Sequence, residues 1–232
     1  MVDRKLLRLS ATLLFIGAWV YLIVTFFLHP PGGNDHQAAF TAYANSSSWT
    51  AVHLVQFIAT AIMIAGLLVL FFALGVSQGT PRWLGLFGAL AAGVALALAG
   101  VVYAVDGVTL KQAVDAWVSA PVAEQATRFA SAEAIRWLEW GTRSYQSFMF
   151  GLALVLFATT IVWTARITRP LGYVMGLIGL AYIVQSWLEG TVGFSATEDF
   201  LVAIAQSSTA LWSIWLLIVA WRMKEPVQAA IG

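Results

Sequence analysis

Three histidines, eleven carboxylates and no cysteine define the chemistry open to this chain. Without cysteine there is no disulfide, thiolate metal ligand, covalent c-type haem attachment or thiol–disulfide exchange. His29 and His53 stand at facing ends of two successive apolar runs. They could meet, and Asp35, Asp106 or Glu189 could join them around a metal. No HxxxH or HExxH spacing accompanies them, so the expectation is hydrogen-bonded histidines and no metal or cofactor. A metal ion, or a b-type haem held between two histidines, has only His29 and His53 to use, and no second pair exists for electron transfer across a membrane. Acid–base work could fall to Asp106, Glu139 or Glu189, since a carboxylate at a low-dielectric boundary can exchange protons near neutral pH. Arg136 and Arg143 compete with that role, because pairing would turn the same groups into an ionic latch. No histidine stands at motif spacing from a serine.

Polar residues also recur at helical spacing near one end of each apolar run. The runs in order offer Tyr21, Thr25 and His29; His53, Gln56 and Thr60; Tyr103 and Asp106; Gln146 and Ser147; Tyr182, Gln185, Ser186 and Glu189; and Gln206, Thr209 and Ser213. Facing lipid, such groups cost several kcal/mol, so they should turn toward one another or line a wet cavity. The candidate ligand site is therefore His53, Gln56, Tyr103, Asp106, Glu139, Arg143, Gln146, Tyr182, Gln185 and Glu189.

The elements that must position these residues are six apolar runs, about 6–28, 51–76, 84–105, 147–163, 171–187 and 200–221. Each is near the roughly 17–25 residues that cross a bilayer as a tilted helix. With 60% hydrophobic residues, 10% charged residues and a mean hydropathy of +0.83, the chain has more apolar surface than one soluble core can hide. The prediction is an all-α polytopic membrane protein, one domain over 1–232. The net charge of +1 gives no support to nucleic-acid binding. The basic stretch before the first run resembles a secretory leader, but that run is too long and lacks a small-x-small cleavage site, so it is expected to be a retained span.

Charge orients the spans. With the amino terminus inside, the inner segments hold eight basic and two acidic residues and the outer ones four and nine, net +6 against −5. That bias places both termini in the cytoplasm. Trp49, Trp137, Trp140 and Trp187 would then mark the outer boundary, and Trp83, Trp163 and Trp221 the inner one. Two outer connectors exceed a turn. The first contains Pro30-Pro31-Gly32-Gly33-Asn34-Asp35 and a short helix near 37–44. The second should hold a short helix near 110–118, a break at Ser119 and Pro121, and a helix running into the fourth span. On that helix Glu133, Arg136, Glu139, Trp140 and Arg143 share a stripe, read either as a solvated face with intrahelical ion pairs or as the rim of an outward pocket. The hairpins 51–107 and 145–190 read as a possible repeat, each closing outside on an acid-Gly pair. Rows of small residues at Gly85, Ala89, Gly93 and Ala97, and at Gly172 and Gly176, point to close backbone packing and to spans three and five as central.

Six spans in this length, the Asp106-Gly107 pair closing the third and Trp137-Leu138-Glu139-Trp140-Gly141 before the fourth together resemble uncharacterised bacterial membrane proteins of the DUF4386 type. The resemblance implies the topology and a bacterial inner membrane, and carries no activity. Three functions are consistent with these residues. The first is a non-catalytic accessory or subunit protein, partnered by the lipid bilayer and by other membrane subunits or further copies of itself. The alternatives are a small-ligand binding protein or transporter with its site in the outer half, and an enzyme using the outer carboxylates.

Overall fold

Seven helices and no strand make up the described residues, 2–30 and 33–223, of a computed structural model. Pro31 and Gly32 of the predicted connector, and Lys224 and Glu225 of the charge count, lie outside them. We number the helices α1 (Arg4–Phe27), α2 (His36–Ala44), α3 (Trp49–Leu74), α4 (Gly79–Val118), α5 (Val122–Thr164), α6 (Arg169–Val192) and α7 (Ala196–Arg222). All but α2 are long and apolar enough to span a bilayer. Their starts are written in the sequence. The side chains of Asp3, Asp35 and Ser195 accept the first free backbone N–H groups of α1, α2 and α7. Pro170 enters α6 in its first turn, where no N–H is missed.

The first and last described residues and the turns 75–78 and 165–168 lie at one end of the bundle. Asp3 N donates to Ala73 O, Arg4 Nη1 to Met223 O, Arg8 Nε to Ala220 O, and Arg166 Nη1 to Leu74 O. Guanidinium groups thus satisfy the carbonyls left free where α3 and α7 end. Arg4, Lys5, Arg8, Arg82, Arg166, Arg169 and Arg222 collect here, and the long connectors with most of the carboxylates form the opposite end.

The second long connector differs from expectation. The helix near 110–118 is present and the break at Ser119–Pro121 holds. The third span does not end at Asp106-Gly107, however. It runs from Gly79–Ala104 through a six-residue π-helical segment, Val105–Leu110, into Lys111–Val118. The predicted helix into the fourth span is present: α5 is continuous over 43 residues, about 65 Å at 1.5 Å per residue and so twice the roughly 30 Å of a hydrocarbon core. Nothing in the polar stretch before Ser147 breaks a helix, so the helix outlasts the apolar run.

The most extensive packing joins α5 to α6, α1 to α3 and α4 to α5, so α3 and α5, not the third and fifth spans, are the most buried. Gly151 and Gly179 bring α5 and α6 into backbone contact, since a Cβ on either would stand 2.6 or 2.7 Å from the other's carbonyl oxygen. Gly93 of the small-residue row faces open space instead. The core near the basic end is apolar, built on Leu7, Ile64, Leu67, Leu70, Phe157, Ile161 and Leu216. A second cluster of Phe40, Tyr43, Trp49, Leu110 and Val114 ties α2 to the outer part of α4. Trp49 therefore leaves the predicted boundary belt for the core, and Trp140 turns inward onto Phe194, while Trp137 and Trp187 stay exposed.

Candidate functional site

The π-helical segment of α4 turns Asp106 inward, where its carboxylate becomes the meeting point of three helices. His53 Nε2 of α3 lies 3.0 Å from Asp106 Oδ2, and Arg143 Nη2 of α5 donates to the same oxygen at 2.9 Å. The backbone is held too: Trp49 Nε1 donates to Asp106 O at 2.8 Å, and Thr50 Oγ1 to Gly107 O at 2.8 Å. Gly107 is required for this approach, because a Cβ there would stand 2.6 Å from His53 Cβ. A π-helical turn at a polar cluster is a recurrent way to aim side chains that a regular helix would direct elsewhere.

Arg143 is the hub of the cluster. Besides Asp106 it places Nε 2.7 Å from Glu139 Oε1 and 3.5 Å from Glu189 Oε1. Glu139 also accepts from Arg136 Nη1 at 2.7 Å. Arg136 is 2% exposed and Glu139 fully buried, so the stripe on α5 is no solvated face. Arg136 is cased in aromatic rings, its Cζ standing 4.4 Å from the Phe194 centroid and 5.4 Å from that of Tyr43. On the far side Gln185 Nε2 donates to both Glu189 Oε2, at 3.2 Å, and Glu198 Oε1, at 3.1 Å. Four buried carboxyl groups, Asp106, Glu139, Glu189 and Glu198, thus share two guanidinium groups.

Two groups outside the spans feel the same burial. Desolvation lowers His29 from its ordinary 6.5 to about 4, against the pull of the Asp106 carboxylate. Desolvation likewise pushes the Tyr43 phenol up to about 12, against the nearby Arg136 cation.

Beside this cluster opens a cavity of about 450 Å³ to which all six long helices contribute. Tyr21 and Thr25 come from α1, Gln56 and Thr60 from α3, and Tyr103 from α4. Arg136, Arg143 and Gln146 come from α5, Tyr182 and Gln185 from α6, and Glu198, Asp199 and Gln206 from α7. Met63, Val102 and Phe150 also line it and supply apolar wall. Asp199 is exposed and also lines the cavity, so it marks the mouth. Some of the wall groups are tied to each other: Gln56 Nε2 donates to Thr25 Oγ1 at 3.0 Å and Gln185 Nε2 to Glu198 Oε1 at 3.1 Å, while the Thr60–Tyr103 contact is long, at 3.5 Å.

Of the ten residues predicted for a site, Gln56, Tyr103, Arg143, Gln146, Tyr182 and Gln185 line the cavity. His53, Asp106, Glu139 and Glu189 lie buried in the adjoining ion-pair cluster. Arg136, expected only at a rim, is central, and Glu198, Asp199 and Phe194 were not foreseen as site residues. A signal for Glu198 existed, since Glu198, Val202, Gln206, Thr209 and Ser213 fall on one helical face once the last helix is started at Ala196. Comparison with protein-family models, characterised proteins and solved structures gave no match to this chain.

Proposed function

We propose that the protein is a membrane-embedded binding protein or transporter for a small molecule carrying a polar head and an apolar body. The observation that carries this is the cavity: about 450 Å³ lies within the roughly 300–1,000 Å³ of small-molecule sites and far exceeds the space a few waters need. Its lining is mixed: Arg143, Gln185 and Glu198 offer charge and hydrogen bonds, and Met63, Val102 and Phe150 offer apolar contact. The carboxylates predicted as an acid–base set are engaged by Arg136, Arg143, His53 and Gln185, an arrangement that favours holding a ligand over attacking one. A thermal-shift screen in detergent tests the proposal. Ligands in the cavity should raise the melting temperature of the native chain and fail on Gln146→Trp, which fills the space. Equal stabilisation of both would place binding elsewhere.

We also propose that the basic end faces the cytoplasm of a bacterial inner membrane, with both termini inside. Arg143 lies 21 residues from the end of α5, about 32 Å along the helix, a length that supports an ion-pair cluster at the outer edge of the hydrocarbon. In intact cells an impermeant thiol reagent should reach Ser131→Cys and spare Ser77→Cys; the reverse pattern would invert the topology. An accessory role in a larger membrane assembly is favoured by one feature, an outward apolar groove on α5 and α6 floored by Gly172 and Gly176. A photocrosslinker at Tyr173, which lines the groove, should then capture a partner chain in mild detergent.

A further inference from the structure

We propose that His29, His53 and Asp106 form a binding site for a divalent transition-metal ion of the zinc class. The tautomers are the starting point. His29 Nδ1 lies 2.6 Å from Pro30 O, and His53 Nδ1 lies 2.7 Å from Trp49 O. A carbonyl oxygen only accepts, so each Nδ1 carries the hydrogen, and Nε2 is the ring nitrogen each histidine has available for a metal ion. Those two Nε2 atoms face each other at 3.3 Å, and His53 Nε2 is 3.0 Å from Asp106 Oδ2. The two Nε2 atoms and a carboxylate oxygen converge within 4.8 Å of one another. A proton joins at most two of these three atoms, whereas a metal ion bonds all three.

The spacing suits a metal ion. Two nitrogens bonded at 2.0–2.1 Å to a tetrahedral zinc stand about 3.3–3.4 Å apart, which is the separation seen here. A haem between these histidines would need them on opposite faces of a porphyrin plane, and rings already in edge contact, with centroids 5.0 Å apart, leave no room for one. Two imidazoles with one carboxylate, and no thiolate, select borderline ions such as Zn²⁺ and Co²⁺ over soft ones. The outer partners are in place as well, since both Nδ1–H groups donate to backbone carbonyls, which orients each ring as in known histidine–metal sites.

A second observation points independently to a ligand. Asp106 is fully buried, yet its Oδ1 accepts no hydrogen bond among the described residues. An orphaned buried carboxylate oxygen costs free energy that metal coordination would recover. Arg143, on Oδ2, opposes a cation, but Glu139 and Glu189 beside it offset that charge. His29 also lines the cavity, so the site is reached from that side and a fourth coordination position can be filled by water or by a cavity ligand. The site is independent of whether an organic molecule fills the cavity.

The test uses the full chain, purified in detergent and stripped with a chelator, then titrated with Co²⁺ and with Zn²⁺. The expected result is one Co²⁺ per chain with visible d–d absorption, displaced by one Zn²⁺ that raises the melting temperature. His29→Ala, at a partly exposed helix end where folding tolerates it, should weaken Zn²⁺ binding at least about 100-fold, beyond the roughly 10–100-fold lost with an outer partner. Asp106→Asn should weaken it similarly. His36→Ala, whose ring pairs with Glu133 at 2.9 Å in a different place, should leave it unchanged. Thermal unfolding of the metal-free variants verifies that each is folded. Failure of the native chain to bind stoichiometric Co²⁺ or Zn²⁺ at micromolar concentration would overturn the proposal. So would binding that survives His29→Ala or that disappears with His36→Ala.

Discussion

Replacing Arg143 by glutamine removes the cation on which three buried carboxylates converge. Its side chain is 24% exposed, whereas those of Asp106, Glu139 and Glu189 are at 0%. After the substitution Glu139 keeps Arg136 and Asp106 keeps His53, but Glu189 is left with only the amide of Gln185. Taking one partner from a buried pair costs roughly 3–5 kcal/mol, because the remaining charge stays in a low-dielectric place without compensation. At roughly 2–4 °C per kcal/mol for a chain of this size, the apparent melting temperature should fall by about 6–20 °C. Arg128→Gln is the internal control. Its pair with Glu124 is more than half exposed on both sides, and such pairs rarely contribute measurably.

The assay is thermal unfolding of both variants in one detergent, followed by the double variant Arg143→Gln with Glu189→Gln. If the loss comes from the stranded carboxylate, neutralising Glu189 recovers part of it, a non-additivity that only interacting residues show. Should Arg143→Gln melt within about 1 kcal/mol of Arg128→Gln, the cluster would be a hydrated surface network and the reasoning from burial would fail.

Two further substitutions probe the surroundings. The Tyr43 hydroxyl is buried without a hydrogen-bond partner among the described residues, so Tyr43→Phe should leave stability at pH 7 unchanged or raise it by about 1 kcal/mol. Because burial raises this phenol to about 12 from 10.0, its protonated form favours the folded state. That contribution is whole below pH 10 and is lost as pH rises toward 12, so the phenylalanine variant should show a flatter alkaline limb in melting scans. Gly107→Ala drives a Cβ against His53 and should cost about 1–3 kcal/mol, the range for overpacking. Gly141→Ala, on the same criterion, meets nothing within 4 Å and should stabilise α5 by about 0.5–1 kcal/mol. Denaturant melts of the two alanine variants would therefore move in opposite directions, and a shared sign would contradict the packing at Gly107.

The six apolar helices were legible because a span must be continuously apolar, a demand no tertiary contact can override. Inward-turning polar stripes were legible for the same reason: Gln56, Tyr103, Gln146, Tyr182 and Gln185 have nowhere else to go. Helix ends were harder to see. Lipid dictates where apolar residues stop, not where a helix does, so α4 carries on through Asp106-Gly107 to Val118, past the end of its apolar run. Trp49 and Trp140 were assigned to a boundary belt from depth alone, whereas the direction each indole faces is set by packing against Tyr43, His53 and Phe194. The stripe at Glu133–Arg143 had spacing suited equally to exposed and buried ion pairs, and only its partners on α4 and α6 decide between them. Glu198 was lost because the last apolar run was started at Phe200, four residues into α7.

Whether water and small solutes enter the cavity between the helices is the question on which the functional account turns. The chain has no cysteine, so single thiols can be placed cleanly. In a bilayer, Gln146→Cys on the cavity wall should react readily with a small hydrophilic methanethiosulfonate. Leu90→Cys, on an outward apolar face, is 63% exposed in the bundle yet turned to lipid, and should stay inert. Equal inertness of the two thiols would mean a closed, self-satisfied network at Gln146, and the binding function would fall with the cavity.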